Sequence, residues 1–291
     1  MSSVEGGEEL TVDEYMASVG VDLLHAGGMK RTEELAEMCE VSEGSIVLDA
    51  GCGFGRTACH LAKKYGCKVV GIDISERMIE GAREKARKER VDDLVRFQVG
   101  NAESTHFEDE SFDAVISEGT TVFTDKQRAL REYVRVTKRG GYIGLNELSW
   151  RRKPSKEVID RAFADLQGVS PLGYDEWTNL LVDSGLKDIQ SRTYKYTSIS
   201  WDIIRSLGLH ALINVGIKYL TNSKMRKWIN RQEALFREYS DYWGYGLYVG
   251  RKQGSKKIRA LHHQLPQLAS CHKCDTLSQK LQTSNGISIN V

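Results

Sequence analysis

Apolar and polar positions along this chain alternate between two periods. Short, nearly continuous apolar runs occur at Ile46–Leu48, Cys67–Ile72, Leu94–Val99, Phe112–Ser117 and Tyr142–Leu148, the pattern of strands buried on both faces. Between them apolar residues recur at helical spacing. The spacing predicts helices over Arg56–Tyr65, over Glu76–Arg90 with Met78, Ile79, Ala82 and Ala86 inward, and over Lys126–Lys138 with Ala129, Leu130, Tyr133 and Val134 inward. A further helix over Asp175–Ser184 turns Trp177, Leu180 and Leu181 inward and stops at Gly185. Leu186–Tyr196 and Tyr245–Val249 read as two more strands. Strand and helix in alternation predict a doubly wound α/β fold of Rossmann type.

Three segments stand outside that rhythm. Ahead of the first strand, a helical pattern from Thr11 (Tyr15, Met16, Val19) and a second helix, Lys30–Glu40, flank His25-Ala26-Gly27-Gly28. Residues 199–243 interrupt the last strand pair, too long for a bare loop. Trp201, Ile203, Ile204, Leu207, Leu209, Leu212, Ile213, Val215, Ile217 and Leu220 crowd its first half, and Met225, Trp228, Ile229, Leu235, Phe236 and Tyr239 recur at helical spacing in its second. Two helices forming an apolar roof over the strand ends are expected; packing on the sheet or a second subunit explains the residues equally. After Arg251 the periodicity collapses into a polar tail, 252–291, expected to be disordered. The expected division is 1–45 as N-terminal helices covering the core, 46–198 as core, 199–243 as insertion, 244–251 as last core strand, and the tail.

The chemistry gathers where strands end. Asp49-Ala50-Gly51-Cys52-Gly53-Phe54-Gly55 joins the first strand to the helix at Arg56. Glycines let the chain turn tightly and a ligand approach the main chain, and the unpaired amides of the following helix point at that ligand. The dinucleotide fingerprint G-x-G-x-x-G would need its third glycine at position 56, which is Arg56. The second strand ends at Asp73, about twenty residues on, where doubly wound folds place an acid on ribose hydroxyls. Ser75 is the better helix cap of the two. The third strand ends in Gly100-Asn101-Ala102-Glu103 and the fourth in Glu118-Gly119-Thr120-Thr121.

The D-x-G-x-G-x-G pattern resembles motif I of the class I S-adenosylmethionine-dependent methyltransferases, and the Asp73 segment and Gly100–Glu103 resemble the next two motifs of the ubiquinone/menaquinone-type small-molecule group. Asn101 stands where that group has Asp, and Lys138-Arg139-Gly140-Gly141 lacks the usual proline. The resemblance covers roughly residues 25 to 195. It implies a seven-stranded sheet with the last strand antiparallel, and S-adenosyl-L-methionine as cofactor. Asp49, Gly51, Gly53 and Gly55, with Cys52 among them, would hold the methionine end. Asp73 and Ile74 would serve the ribose side, Asn101 and Ala102 the adenine edge, with Met78 and Ser117 adjoining. Transfer to a small acceptor, apolar or aromatic (quinone-, lipid- or phenol-like), would run by in-line displacement. Glu118 and His25 are the candidate bases. The chain lacks the N/D-P-P-aromatic motif of adenine-base methyltransferases. His210 reads as a core histidine. A nicotinamide oxidoreductase or a non-catalytic cofactor-binding protein are the alternatives.

Composition narrows this further. A net charge of +1 gives no global basic footprint, so no nucleic acid is expected. The polar, acidic N-terminus does not read as a secretory signal and no apolar run is long enough to span a bilayer, so a cytoplasmic protein with reduced thiols is expected. Peripheral membrane contact and a homodimer through the insertion stay open. Cys271-His272-Lys273-Cys274 has neither the partner ligands of a zinc site nor the His of a haem motif, and no metal is expected.

Overall fold

A computed structural model describes residues 25–165, 168–195 and 209–254. The expected helix at Thr11, the apolar residues 201–207, the side chain of His210 and the Cys271/Cys274 pair lie outside the described residues.

The element order is α1 (Gly28–Met38), β1 (Ile46–Ala50), α2 (Arg56–Tyr65), β2 (Lys68–Asp73), α3 (Glu76–Glu89), β3 (Val95–Val99), β4 (Phe112–Glu118), a 3-10 turn (Thr121–Phe123), α4 (Lys126–Val136) and β5 (Thr137–Trp150). There follow α5 (Lys156–Asp165), β6 (Leu172–Gly173), α6 (Tyr174–Asp183), β7 (Lys187–Lys195), α7 (Leu209–Thr221), α8 (Ser223–Glu238) and β8 (Trp243–Arg251). The strands lie in the order β3-β2-β1-β4-β5-β8-β7. β1 pairs in parallel with β2 and β4, and β8 runs antiparallel to both β5 and β7. This is the expected Rossmann-like sheet with one addition. β5 runs on to Trp150, and its last two residues pair with Leu172 and Gly173, making eight strands.

Alternation along the strands sorts the core onto two faces. Val47 and Val69 pack with Leu35 of α1, Leu61 of α2 and Ile79 of α3. Their neighbours Leu48 and Ile72 pack with Leu130 and Tyr133 of α4 and with Trp177 and Leu181 of α6. A third cluster closes the sheet's far corner: Trp150 stacks on Trp243 at 4.5 Å, and Tyr239 meets Trp243 edge-on at 5.9 Å.

Local chemistry sets the boundaries. Ser75 caps α3 by accepting from Met78 N, and Asp125 caps α4 by accepting from Gln127 N and Arg128 N. α4 ends at Val136, two residues before the sequence pattern suggested. Thr137 is already extended and pairs with Phe112, while its hydroxyl donates to Tyr133 O at 2.6 Å. α5 was not foreseen in the run after Trp150. Its signal is visible in retrospect: Ser155 accepts from Val158 N, and Val158, Ile159, Ala162 and Phe163 follow helical spacing. The insertion does form two helices, α7 and α8.

Candidate active site

The strand order reverses between β1 and β4, and the chain turns there through Gly51–Gly55. Both Gly51 N and Cys52 N donate to Ile72 O, at 2.8 and 2.9 Å, which ties the turn to the end of β2. Gly51, Gly53 and Gly55 have φ of +81°, +50° and +76°. At Gly51 a Cβ would run into the Thr120 side chain; at Gly55 it would come within 2.6 Å of Phe97 and 2.8 Å of Ala82. Those two glycines are required by packing. Among the described residues only Met78 Sδ lies within reach of Gly53, at 3.9 Å, so on that side this glycine leaves room for a ligand.

Asp73 faces this turn. Its Oδ2 accepts from Gly53 N at 3.0 Å and its Oδ1 from Ser75 N at 2.9 Å. The acid expected on a ribose therefore also fixes the glycine turn. Asn101 Oδ1 accepts from Glu103 N at 2.8 Å, so its free donor is the amide nitrogen. Ile74 is 76% exposed and Val99 51% exposed at the ends of β2 and β3. Cys52, Met78, Ala102 and Ser117 are buried, and Ser117 Oγ bonds Thr121 Oγ1 at 2.9 Å. Cys52 lies between strand and turn, where burial and nearby Asp49 push its thiol far up, so it stays protonated.

Glu118 and His25, far apart in sequence, meet: His25 Nδ1 is 3.4 Å from Glu118 Oε1, both side chains nearly fully buried. Glu118 also accepts from Thr32 Oγ1 at 3.0 Å, Thr57 Oγ1 at 2.9 Å and Asn146 Nδ2 at 3.0 Å. Because Thr32 commits its one hydrogen to Glu118, its 3.3 Å contact with His25 Nε2 needs a hydrogen on that nitrogen. Asn146 Nδ2 reaches Ala26 O at 3.1 Å and His25 Nδ1 at 3.2 Å. One network thus joins α1, α2, β4 and β5. The two candidate bases are brought together but held inside it rather than open to a cleft. Thr32, Thr57 and Asn146 escaped the sequence reading; the one signal was Asn146-Glu147, two polar residues inside an otherwise apolar strand, with Asn146 in register with Glu118.

A second carboxyl group is more exceptional. Asp49 is 2% exposed and its Oδ2 has no hydrogen-bond partner among the described residues. Burial, with Glu118 and Asp73 close by, holds its proton well above the usual carboxylate range. On the other face of β5, Glu147 is wholly buried; its Oε1 accepts from Thr121 N at 2.8 Å, its Oε2 has no partner, and burial pushes it up to about 7. Two grooves of the surface lie elsewhere, one at the opposite sheet edge by Ser45 and Gly141 and one against α3, so neither coincides with this constellation. Among the described residues no group of acids, histidines and cysteines could hold a metal, and no helix is long and apolar enough to cross a membrane.

An orphaned buried carboxyl oxygen, three acids and an open glycine suit a cationic ligand with an amine, and comparison with known proteins points the same way. The methyltransferase-domain family matches residues 48–145. The chain is 36% identical over 129 residues to methyltransferase GfsG of Streptomyces halstedii, covering 44% of this chain and 46% of that one. It is 31% identical over 192 residues to phosphoethanolamine N-methyltransferase 1 of Arabidopsis thaliana, covering 64% of this chain and 38% of that one. It therefore spans less than half the length of either relative. The fold superposes on Haemonchus contortus phosphoethanolamine N-methyltransferase 2, solved with phosphomonomethylethanolamine and S-adenosylhomocysteine, with a TM-score of 0.65 and 19% identity over 82% of this chain and 56% of that one. Over residues 48–145 the chain carries a methyltransferase domain, and with these relatives this supports an S-adenosylmethionine-dependent methyltransferase of class I. Its cofactor is S-adenosyl-L-methionine.

Proposed function

We propose that this protein methylates a small acceptor with an apolar or aromatic body. The observation that carries the reading is the clustering of Asp73 and Glu118 about Asp49, whose Oδ2 has no partner among the described residues. The bound cofactor would supply an activated methyl group on a sulfonium, and its positive charge would favour the ionised form of Asp49, which burial otherwise keeps protonated. Asp49, Gly51, Cys52, Gly53 and Gly55 would hold its methionine end, and Asp73 would face the ribose hydroxyls. Ile74, Val99 and Met78 flank the adenine, whose edge Asn101 and Ala102 read; Ser117 supports the floor. Alignment of nucleophile, methyl and sulfur at about 3–3.5 Å is the main contribution of the fold. The acceptor would lie at the same sheet edge, where Phe123 is exposed and Tyr194 stacks on Tyr245 at 5.0 Å.

For an acceptor that must lose a proton, Glu118 and His25 are the groups in place to take it, once a bond within their network is released. A second reading has a specific observation in its favour. Both groups have their polar atoms engaged, which suits an acceptor that needs no base, such as an amine; the Arabidopsis relative is named for an amine acceptor. Incubation with methyl-labelled cofactor and a panel of quinols, phenols and amines separates the two. Label in quinols or phenols is the expected result, and label in amines alone selects the second reading. Cofactor binding by calorimetry with no label in any acceptor would overturn both.

A further inference from the structure

The α7–α8 hairpin carries an apolar stripe directed outward. Ile213, Ile217 and Leu220 are spaced four and three residues apart, on one side of α7, and are 51%, 52% and 75% exposed. The hairpin is a built structure. Asn222 Oδ1 caps α8 by accepting from Met225 N at 3.0 Å, and Met225 is buried. Arg226 Nη1 donates to Tyr219 O and Leu220 O at the end of α7, and Tyr219 OH donates to Asn230 Oδ1 at 3.0 Å.

Charge on this element is segregated. Residues 209–231 contain Lys218, Lys224, Arg226, Lys227 and Arg231 and no Asp or Glu. The chain has 41 basic and 40 acidic residues, so everything outside this segment has 36 against 40 and is net negative. Lys224 and Lys227 are exposed. The position matters as well. Lys195 and Ser149 both pair with Gly244, so the insertion leaves and rejoins the sheet at the edge where β5 ends. Trp150, Trp243 and Tyr239 anchor the return of α8 at that corner.

We infer that the α7–α8 hairpin is a docking surface for an anionic lipid bilayer, with Ile213, Ile217 and Leu220 entering the headgroup boundary and the flanking cations meeting lipid phosphates. A helix with an apolar stripe and a Lys/Arg-rich flank lies in such an interface, and each basic residue near an anionic surface adds attraction. A second copy is the competing occupant, but a two-fold pairing would bring like-charged segments together. Docking here presents the sheet edge bearing the candidate site to the lipid. The inference is independent of which acceptor is methylated.

The test is co-sedimentation of the full chain with phosphatidylcholine vesicles, plain or with about one third phosphatidylglycerol, without cofactor or acceptor. Binding to the anionic vesicles is expected to exceed binding to neutral ones about tenfold and to fall about fivefold or more on raising salt to about 0.5 M. Ile217→Asp with Leu220→Asp, and separately Lys224→Glu with Lys227→Glu, are each expected to abolish it. Circular dichroism and cofactor affinity should stay at wild-type values; should the apolar pair misfold, the lysine pair, on exposed positions, still decides. Equal or no binding to both vesicle types overturns the proposal, as does a wild-type dimer in sedimentation velocity that Leu220→Asp dissociates.

Discussion

The glycine turn and the α7–α8 hairpin satisfy their groups in opposite directions. Around Gly51–Gly55 polar atoms turn inward: Asp73 holds Gly53 and Ser75, and Glu118 collects donors from α1, α2 and β5. Apolar side chains fill what remains, and two of the three glycines have no room for a methyl group. The hairpin satisfies its backbone through its own turn and leaves three large apolar side chains in contact with water. The contrast separates two tasks. A ligand of fixed shape is met by preorganised groups that must not move, whereas an extended surface can be met by a patch that needs only area and charge.

The contrast is tested most severely at Gly51. Gly51→Ala forces a methyl group into Thr120 at a φ that side-chain-bearing residues avoid. Left-handed strain and overpacking together should destabilise the fold by about 3–4 kcal/mol. Cofactor binding in calorimetry should become undetectable. Retained affinity would show that the turn is not built around its ligand.

The next largest effect is pH-linked. Glu147 sits at about 7 when folded, against an ordinary 4.5. A raised acid holds its proton in the native state at pH values where the unfolded chain has released it. Its contribution is complete below pH 4.5 and lost as pH climbs through 7, a change of roughly 3 kcal/mol. Glu147→Gln keeps an acceptor for Thr121 N and cannot titrate. Urea titrations from pH 4.5 to 8 should show its slope removed and the variant more stable at pH 8. A slope that survives would belong to Asp49, which burial shifts the same way.

Much of this was legible beforehand. The strands β1 to β4 and the helix Arg56–Tyr65 follow from apolar runs and from spacing, because burial on both faces leaves no other pattern. The polar stops at Asp49, Asp73, Asn101 and Glu118 were legible because each lies at or just past the end of a buried strand. The network was not. Thr32 and Thr57 sit on helices where hydroxyls are common, and only three-dimensional packing reveals that both point at Glu118. Two-residue β6 was too short for any periodicity, and α4 stops two residues early, where Thr137 joins β5 and its hydroxyl bonds Tyr133 O.

Asp73→Ala should be smaller in stability and selective in function. It removes the acceptor for Gly53 N and Ser75 N, groups that water can reach in part, at about 1–2 kcal/mol. Cofactor affinity should fall about tenfold or more through lost ribose bonds and a loosened turn. Unchanged affinity with the expected loss of stability would leave Asp73 a turn fixative alone.

Met225→Ala gives the smallest expected effect on the cofactor site, and for that reason it sharpens the comparison most. Met225 is fully buried at the start of α8, next to the Asn222 cap, so truncation should cost about 2–5 kcal/mol of local packing. The hairpin joins the sheet through its two ends, and Tyr239 with Trp243 clamps the second of them downstream of the lesion. If the hairpin and the glycine turn are separate devices, the loss stays within 209–238: limited proteolysis should cut there faster, while cofactor affinity changes less than about twofold, under 0.5 kcal/mol. A parallel fall in cofactor affinity would mean that the insertion braces the turn, and that the outward stripe of α7 belongs to the same cooperative unit as the buried acids.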